Sequence, residues 1–219
     1  MVAHADDETL GMGGSIARHV DAGDRVFAVS MTDGVGSRDD NLNNEREKRL
    51  FDASEAAKTL GFEWLPGEDF PDNSMDTVGI LAVAKKIEIA KSMISPHIVY
   101  THSHADLNVD HQVTCKAVLT AFRPQPTETY EEIRTFEVPS ATDYGYAAVT
   151  GLYQPNLFVD ITLTWERKLK ALKCYGSEIR QAPHPRSLEG LKTLAKLRGG
   201  QCGVRLAESF EIIRKICRE

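Results

Sequence analysis

The first eight residues, Met-Val-Ala-His-Ala-Asp-Asp-Glu, place a histidine and three consecutive acids between a short apolar start and an amphipathic run. That step reads as the end of a strand, a turn and the start of a helix. In an α/β protein, ligands bind outside the carboxyl ends of the strands, so His4, Asp6, Asp7 and Glu8 stand where a site belongs. Imidazole nitrogen with carboxylate oxygen suits a divalent metal, and zinc is the usual choice for hydrolysis. The spacing lets His4 and Asp7 ligate one ion while Asp6, between them, points elsewhere and serves as a general base on water. An ordinary acidic helix N-terminus is the competing reading. It accounts for Asp7 and Glu8 and leaves His4 unexplained.

A second stretch repeats the pattern. Residues 97–101 (His-Ile-Val-Tyr-Thr) have the look of a buried strand, and His102, His104, Asp106, Asp110 and His111 follow before a helical run. Two such loops in one doubly wound sheet can meet above it. A catalytic zinc site takes three protein ligands and keeps one position for water, and His4, Asp7 and His111 complete that set. His102, His104, Asp106 and Asp110 are able to hold a ligand by a hydrogen bond, with Asp110 preferred because it adjoins His111.

At this point the chain resembles a known family. Residues 3–8 (Ala-His-Ala-Asp-Asp-Glu) are similar to the signature of the PIG-L (LmbE-like) zinc-dependent de-N-acetylases, with Ala5 where the family has Pro. Thr101-His102 through Asp110-His111 resembles the second motif of that family. Arg49-x-x-Asp52, Phe70-Pro71-Asp72, Lys168, Tyr175, Arg198-Gly199 and Ala207-Glu208-Ser209-Phe210 carry the resemblance over nearly the whole chain. Asp52 stands where the family has Glu, and Asn108 where some relatives have His. The resemblance implies a Rossmann-like α/β fold, with a mostly parallel sheet and helices on both faces. It also implies a zinc ion and hydrolysis of an acetamide on an amino sugar of the N-acetylglucosamine type, with Arg49 and Asp72 as substrate-binding residues. Another divalent metal would suit the same donors.

His184 lies between Pro183 and Pro185, which restricts its backbone. It is expected to reach the active site, from its own or a neighbouring subunit, and to stabilise the oxyanion or protonate the leaving amine. A rigid surface turn is the alternative. A homo-oligomer and a small-molecule amino-sugar substrate are the expected partners.

Bulk properties set the remaining bounds. The 219 residues suffice for one deacetylase domain over 1–219. A net charge of −6 gives no electrostatic reason to expect nucleic acid. No apolar run approaches the ~18 residues of a membrane span, and no signal peptide is visible. Cys115, Cys174, Cys202 and Cys217 are isolated, without metal or redox spacing, and read as free thiols of a cytoplasmic protein.

Periodicity predicts helices over 10–22, 45–60, 77–94, 113–122, 164–175 and 188–197, and strands over 25–32, 62–65, 97–101, 133–138 and 156–161. Residues 207–216 fit either. Gly11, Gly13 and Gly14 do not make a G-x-G-x-x-G fingerprint, so close packing of helix on strand is expected there. The family resemblance makes the loop 32–37 a rim of the pocket, and an ordinary strand-to-helix connection is the alternative. Ser187 should cap the helix after it, and Arg198-Gly199-Gly200 should end that helix. Tyr144, Tyr146 and Tyr153 in the long loop 139–154 suit stacking on a sugar or capping of the fold. Two other functions stay open: a metal-dependent amidase for a thiol-glycoside conjugate or a non-sugar amide, and a non-catalytic Rossmann-like binding protein that holds no stoichiometric metal.

Overall fold

The computed structural model describes residues 1–34, 36 and 42–218, so Val35 and Ser37 of the expected rim loop, and Asn41, lie outside the described residues. Helices and strands alternate along the first part of the chain: α1 (Asp7–Asp21), β1 (Phe27–Ala28), α2 (Leu42–Leu60), β2 (Glu63–Trp64), a 3-10 turn (Met75–Thr77), α3 (Ile80–Ile94), β3 (Ile98–His102), α4 (Val109–Ala121) and β4 (Glu132–Phe136). Then come a short α5 (Ala147–Thr150), β5 (Leu157–Asp160), α6 (Trp165–Cys174), α7 (Leu188–Cys202) and β6 (Ala207–Lys215).

β1 pairs with β2 in parallel, and β3 with β4 in parallel. Residues 2 and 3 join these two pieces. Val2 N–H donates to Val29 O at 2.9 Å, and Ala3 N–H donates to His102 Nε2 at 2.8 Å. β6 then runs antiparallel between β4 and β5. The parallel pairing therefore dominates, as expected, and the reversal comes only at the far edge.

Alternation along the strands sorts two cores. Val99 and Ile133 pack with the buried residues of α3 and α4, including Val83, Ile87 and Val118. Tyr100, Phe136 and Phe210 face the other side, with Ile16 of α1, Leu60 of α2, Leu172 of α6 and Leu191 of α7. Helices thus cover both faces.

Several boundaries differ from the sequence expectations, and three of them have a local reason. α1 and α4 both start earlier than their apolar periodicity, because polar groups open them. The Asn108 side chain accepts from Asp110 N at 2.8 Å and His111 N at 3.3 Å, which caps α4. His111 and Asp7 therefore lie in first turns rather than on loops. α7 does not stop at Gly199-Gly200 but runs on to Cys202, and Gly203 closes it at φ +80°. Gly199 is needed for contact, since a Cβ there would lie 2.6 Å from Val204 O. Residues 207–215 form a strand, which fills the gap between β4 and β5. The Ser187 cap is present, its hydroxyl accepting from Gly190 N at 2.9 Å.

The glycines of α1 do serve packing. A Cβ on Gly11 would lie 2.3 Å from the Phe136 ring, and one on Gly14 would lie 2.7 Å from Ile161. Between them the helix breaks at Met12 (φ −144°, ψ 20°). Glu208 of β6 accepts from Gly14 N at 2.9 Å and Ser15 N at 2.7 Å, so it caps the restarted helix. Lys168 of α6 bonds Glu208 at 2.6 Å and the buried carbonyl of Leu10 at 2.9 Å. The C-terminal third of the chain thus repairs the first helix, and that helix positions the His4–Glu8 turn.

Candidate active site

The turn after residue 3 and the first turn of α4 bring three donor atoms together. His4 Nδ1 is 3.2 Å from Asp7 Oδ2 and 3.3 Å from His111 Nε2, and Asp7 Oδ2 is 3.3 Å from His111 Nε2. Ligands about 2.0–2.1 Å from a tetrahedral ion are separated by about 3.3–3.4 Å, so the triangle already has the right edges. Asp7 Oδ1 is buried with no hydrogen-bond partner among the described residues. A buried orphan carboxylate oxygen is costly unless something cationic approaches it. The donor set therefore fits a divalent metal ion.

Carboxylates behind both imidazoles fix their tautomers. His4 Nε2 faces Asp110 Oδ2 at 3.1 Å and Asp72 Oδ1 at 3.2 Å. His111 Nδ1 faces Asp106 Oδ2 at 3.0 Å. With a metal bound, the ring nitrogen turned away from the triangle would keep its proton for its carboxylate, and the nitrogen that faces the triangle would offer its lone pair. The carboxylates are themselves held. Asp110 accepts from Asn73 N at 2.7 Å and Met75 N at 3.0 Å, and Asp106 accepts from the Thr142 hydroxyl at 2.8 Å.

Burial acts to lower the pKa of His111, but the Asp7 and Asp106 charges carry it up to about 9. Burial works the same way on His4, and its hydrogen bonds with Asp110, Asp7 and Asp72 carry it well above the imidazole range. Burial acts to raise Asp7, yet His111 and His102 hold it well below the carboxylate range. A centre that attracts protons this strongly attracts a metal cation for the same reason, and binding one must expel those protons.

His102 lies against the triangle without belonging to it. Its Nε2 accepts from Ala3 N, and its ring stacks on His111 at 3.8 Å between centroids. Burial, then the His111 charge, holds its pKa well below the usual imidazole value, so it stays neutral. It ties the end of β3 to the start of the His4 turn. His104 is exposed beside Gly151 and touches none of this.

Asp6 points away from the triangle. Arg49 Nη1 and Arg186 Nη1 each lie 3.5 Å from Asp6 Oδ2. Burial and the Asp7 charge raise the Asp6 pKa against the opposing pull of the two arginines. Arg49 also donates to Ala5 O at 3.0 Å and to Glu178 Oε1 at 2.6 Å, so it is buried under the turn. Glu8 lies on the inner side, accepting from Thr9 Oγ1 at 2.6 Å, Tyr175 OH at 2.9 Å and Asp6 N at 3.1 Å. Burial pushes its pKa up to about 7.

Of the residues singled out from the sequence, His4, Asp7, His111 and Asp72 meet at one centre, and Asp6 pairs with Arg49 at the turn that carries His4 and Asp7. Gly34, at φ +68°, lies against His4, where a Cβ would be 3.7 Å from the His4 Cβ, so the described part of the 32–37 loop does border it. His184 stands apart. It is half-buried, accepts from Arg186 N through Nδ1 at 3.0 Å, and lies edge-on 6.5 Å from Tyr144. Among the described residues it has no hydrogen bond to the triangle. Tyr153 caps the fold through Ser209 O at 2.6 Å, while Tyr144 and Tyr146 are exposed. Glu178 and Arg186 were not singled out from the sequence. Arg186 had a signal, its place two residues after the constrained His184, and Glu178 had none. A cavity of about 630 Å³ opens beside the turn, lined by Ala5, Thr32, Asp33, Arg46, Arg49 and Trp64.

A mostly parallel α/β fold with a strand-end His/Asp/His centre defines a class of metal-site hydrolases. A comparison with family models matches residues 1–122 to PIG-L, the GlcNAc-PI de-N-acetylase family. The chain belongs to that family and is a de-N-acetylase, a hydrolase of an acetamide C–N bond. It is 25% identical over 222 residues to the diacetylchitobiose deacetylase of Thermococcus kodakarensis, covering 96% of this chain and 80% of that one. The N,N'-diacetylchitobiose deacetylase of Pyrococcus horikoshii, solved with its inhibitor MPG, superposes with a TM-score of 0.74 at 26% identity, over 97% of this chain and 82% of that one. GalB, the 4-carboxy-2-hydroxymuconate hydratase of Pseudomonas putida, shares the fold at 21% identity (TM-score 0.75, 100% of this chain and 96% of that one). Fold alone therefore does not choose the reaction, and the residues of the site do. No helix among the described residues is long and apolar enough to cross a membrane.

Proposed function

We propose that this de-N-acetylase removes the acetyl group from an N-acetylated amino sugar of the N-acetylglucosamine type, free or as part of a conjugate, with zinc held by His4, Asp7 and His111. The observation that carries the reading is the donor triangle with edges of 3.2, 3.3 and 3.3 Å. A bound zinc would supply a Lewis acid for the acetamide carbonyl and would acidify water toward a pKa of ~7.

The chain's own groups do the rest. Asp6 takes the proton from the attacking water as the general base. His184 accepts a backbone N–H at Nδ1 and so presents its proton at Nε2, which suits donation to the oxyanion or the departing amine. Asp72, beside His4, accepts from a sugar hydroxyl. Arg49 lines the cavity next to the turn, and its guanidinium has donors to spare for the sugar as well as for Ala5, Asp6 and Glu178.

The whole chain, 1–219, acts as one such domain. Free cysteines support a cytoplasmic location, where thiols stay reduced. Exposed Tyr144, Tyr146, Val149 and Leu152, clustered in sequence, support a homo-oligomer.

The test is acetate release from a panel of N-acetylated sugars, with and without chelator. Release that chelator abolishes and zinc restores supports the reading and ranks the substrates. No release from any sugar, with one metal bound per chain, overturns the substrate class. Near-full turnover of metal-replete Asp6→Asn removes the base, and His184→Ala within about threefold of wild type, roughly 0.7 kcal/mol of barrier, removes His184.

A further inference from the structure

Asp6 is pinned by two guanidiniums on the same oxygen. Arg49 Nη1 and Arg186 Nη1 both approach Oδ2, each at 3.5 Å, from opposite ends of the chain. Glu178 joins them, with Oε1 2.6 Å from Arg49 Nη2 and Oε2 3.8 Å from Arg186 Nη1. Two acids and two arginines form a closed box in which the charges balance. The arginines differ in setting. The Arg49 side chain is 7% exposed and that of Arg186 is 19%. Arg186 is also fixed from behind. Its Nε donates to Pro139 O at 3.1 Å, and its backbone directly precedes Ser187, the cap of α7.

We propose that Arg186 is a positioning residue for Asp6: with Arg49 it clamps Oδ2, which fixes the carboxylate plane and leaves Oδ1 as the oxygen that receives the proton. The inference rests on Asp6 being the base. Planar geometry matters here. A guanidinium presents several N–H groups in one plane, so Arg186 can hold Pro139 O while it faces Asp6 and Glu178. A lysine is a single point charge and cannot serve all three. Without Arg186, Oδ2 keeps Arg49 alone among the described residues, and the carboxylate is free to turn its proton-accepting oxygen away from the water. A misorientation of that kind lowers the rate of the chemical step and leaves substrate affinity almost unchanged.

The test compares zinc-loaded wild type with Arg186→Ala, Arg186→Lys and Asp6→Asn on one cleaved substrate. Arg186→Ala should lower kcat by about tenfold or more, with KM within about threefold and metal stoichiometry unchanged. Added guanidinium ion should restore part of kcat, and Arg186→Lys should not. A crystal structure of Arg186→Ala should show the Asp6 carboxylate rotated. An Arg186→Ala kcat within about threefold of wild type, a loss confined to KM, or an unrotated Asp6 overturns the proposal. So does an equal further loss when Arg186→Ala is added to Asp6→Asn, because a residue acting through Asp6 has no effect once the base is gone. If Arg186→Ala folds poorly, the failure of Arg186→Lys and Arg186→Gln to show a kcat loss decides against it. Full turnover of Asp6→Asn is a different failure, that of the base assignment itself.

Discussion

His4 Nε2 lies 3.1 Å from Asp110 Oδ2, across 106 positions of chain, while His111, the sequence neighbour of Asp110, takes its carboxylate from Asp106 at 3.0 Å. The second loop therefore serves both imidazoles, through two different acids. Adjacent residues at a helix start point in different directions, and this is why Asp110 turns to His4.

Loss of either supporting carboxylate should weaken the metal and leave the fold intact. Asp106→Asn and Asp110→Asn are each expected to lower zinc affinity by about 10–100-fold. Competition titration against a coloured chelator measures this. Asp110→Asn should cost more, because Asn73 N and Met75 N also depend on it. Wild-type affinity in both variants would mean that the acids do not orient the ligands.

Glu8 predicts a pH dependence of stability. Its pKa is pushed up to about 7 by burial, above the ~4.3 of the unfolded chain. Below pH ~4 both states carry the proton, and Glu8 contributes nothing. As pH rises from ~4 to ~7 the unfolded chain ionises first, so stability falls, by about 3–4 kcal/mol in all, and then levels off. Glu8→Gln should remove that slope and gain on wild type between pH 5 and pH 8. Urea midpoints of metal-free protein at the two pH values measure it, and a wild-type-to-variant difference that stays constant would sink the idea.

Lys168 neutralises Glu208 at the break in α1. Both are buried, so Lys168→Met leaves an uncompensated charge inside the protein. The expected cost is about 3–5 kcal/mol of folding stability. Glu208→Gln strands the Lys168 charge in the same way and should also destabilise, although the amide oxygen still accepts from Gly14 N or Ser15 N. Chemical denaturation reads both, and a Lys168→Met midpoint within about 1 kcal/mol of wild type would show that the pair carries little.

Much of the site was legible in the chain because each metal motif is local. His4, Asp6 and Asp7 fall within four residues, and a strand end followed by a helix start places such residues on the ligand-binding side of the sheet. The C-terminal matches at Lys168, Tyr175 and Glu208 were also visible as a pattern, but their purpose was not. They act at a distance, on the break in α1, on Glu8 and on the turn above it. The box around Asp6 was invisible, because Arg49, Glu178 and Arg186 come from three separate segments.

By itself, the sequence determined the class of fold, the family, and the residue types that can hold a divalent ion and move a proton. The family follows from the resemblance of its motifs, and the rest from short-range spacing and from the 3.6- and 2-residue periods. Tertiary structure alone decided which oxygen faces which nitrogen: Asp106 on His111, Asp110 on His4, and two arginines on one oxygen of Asp6. Such pairings depend on how helices dock on the sheet, and docking is set by contacts such as that of Gly11 on Phe136, which join parts of the chain far apart in sequence.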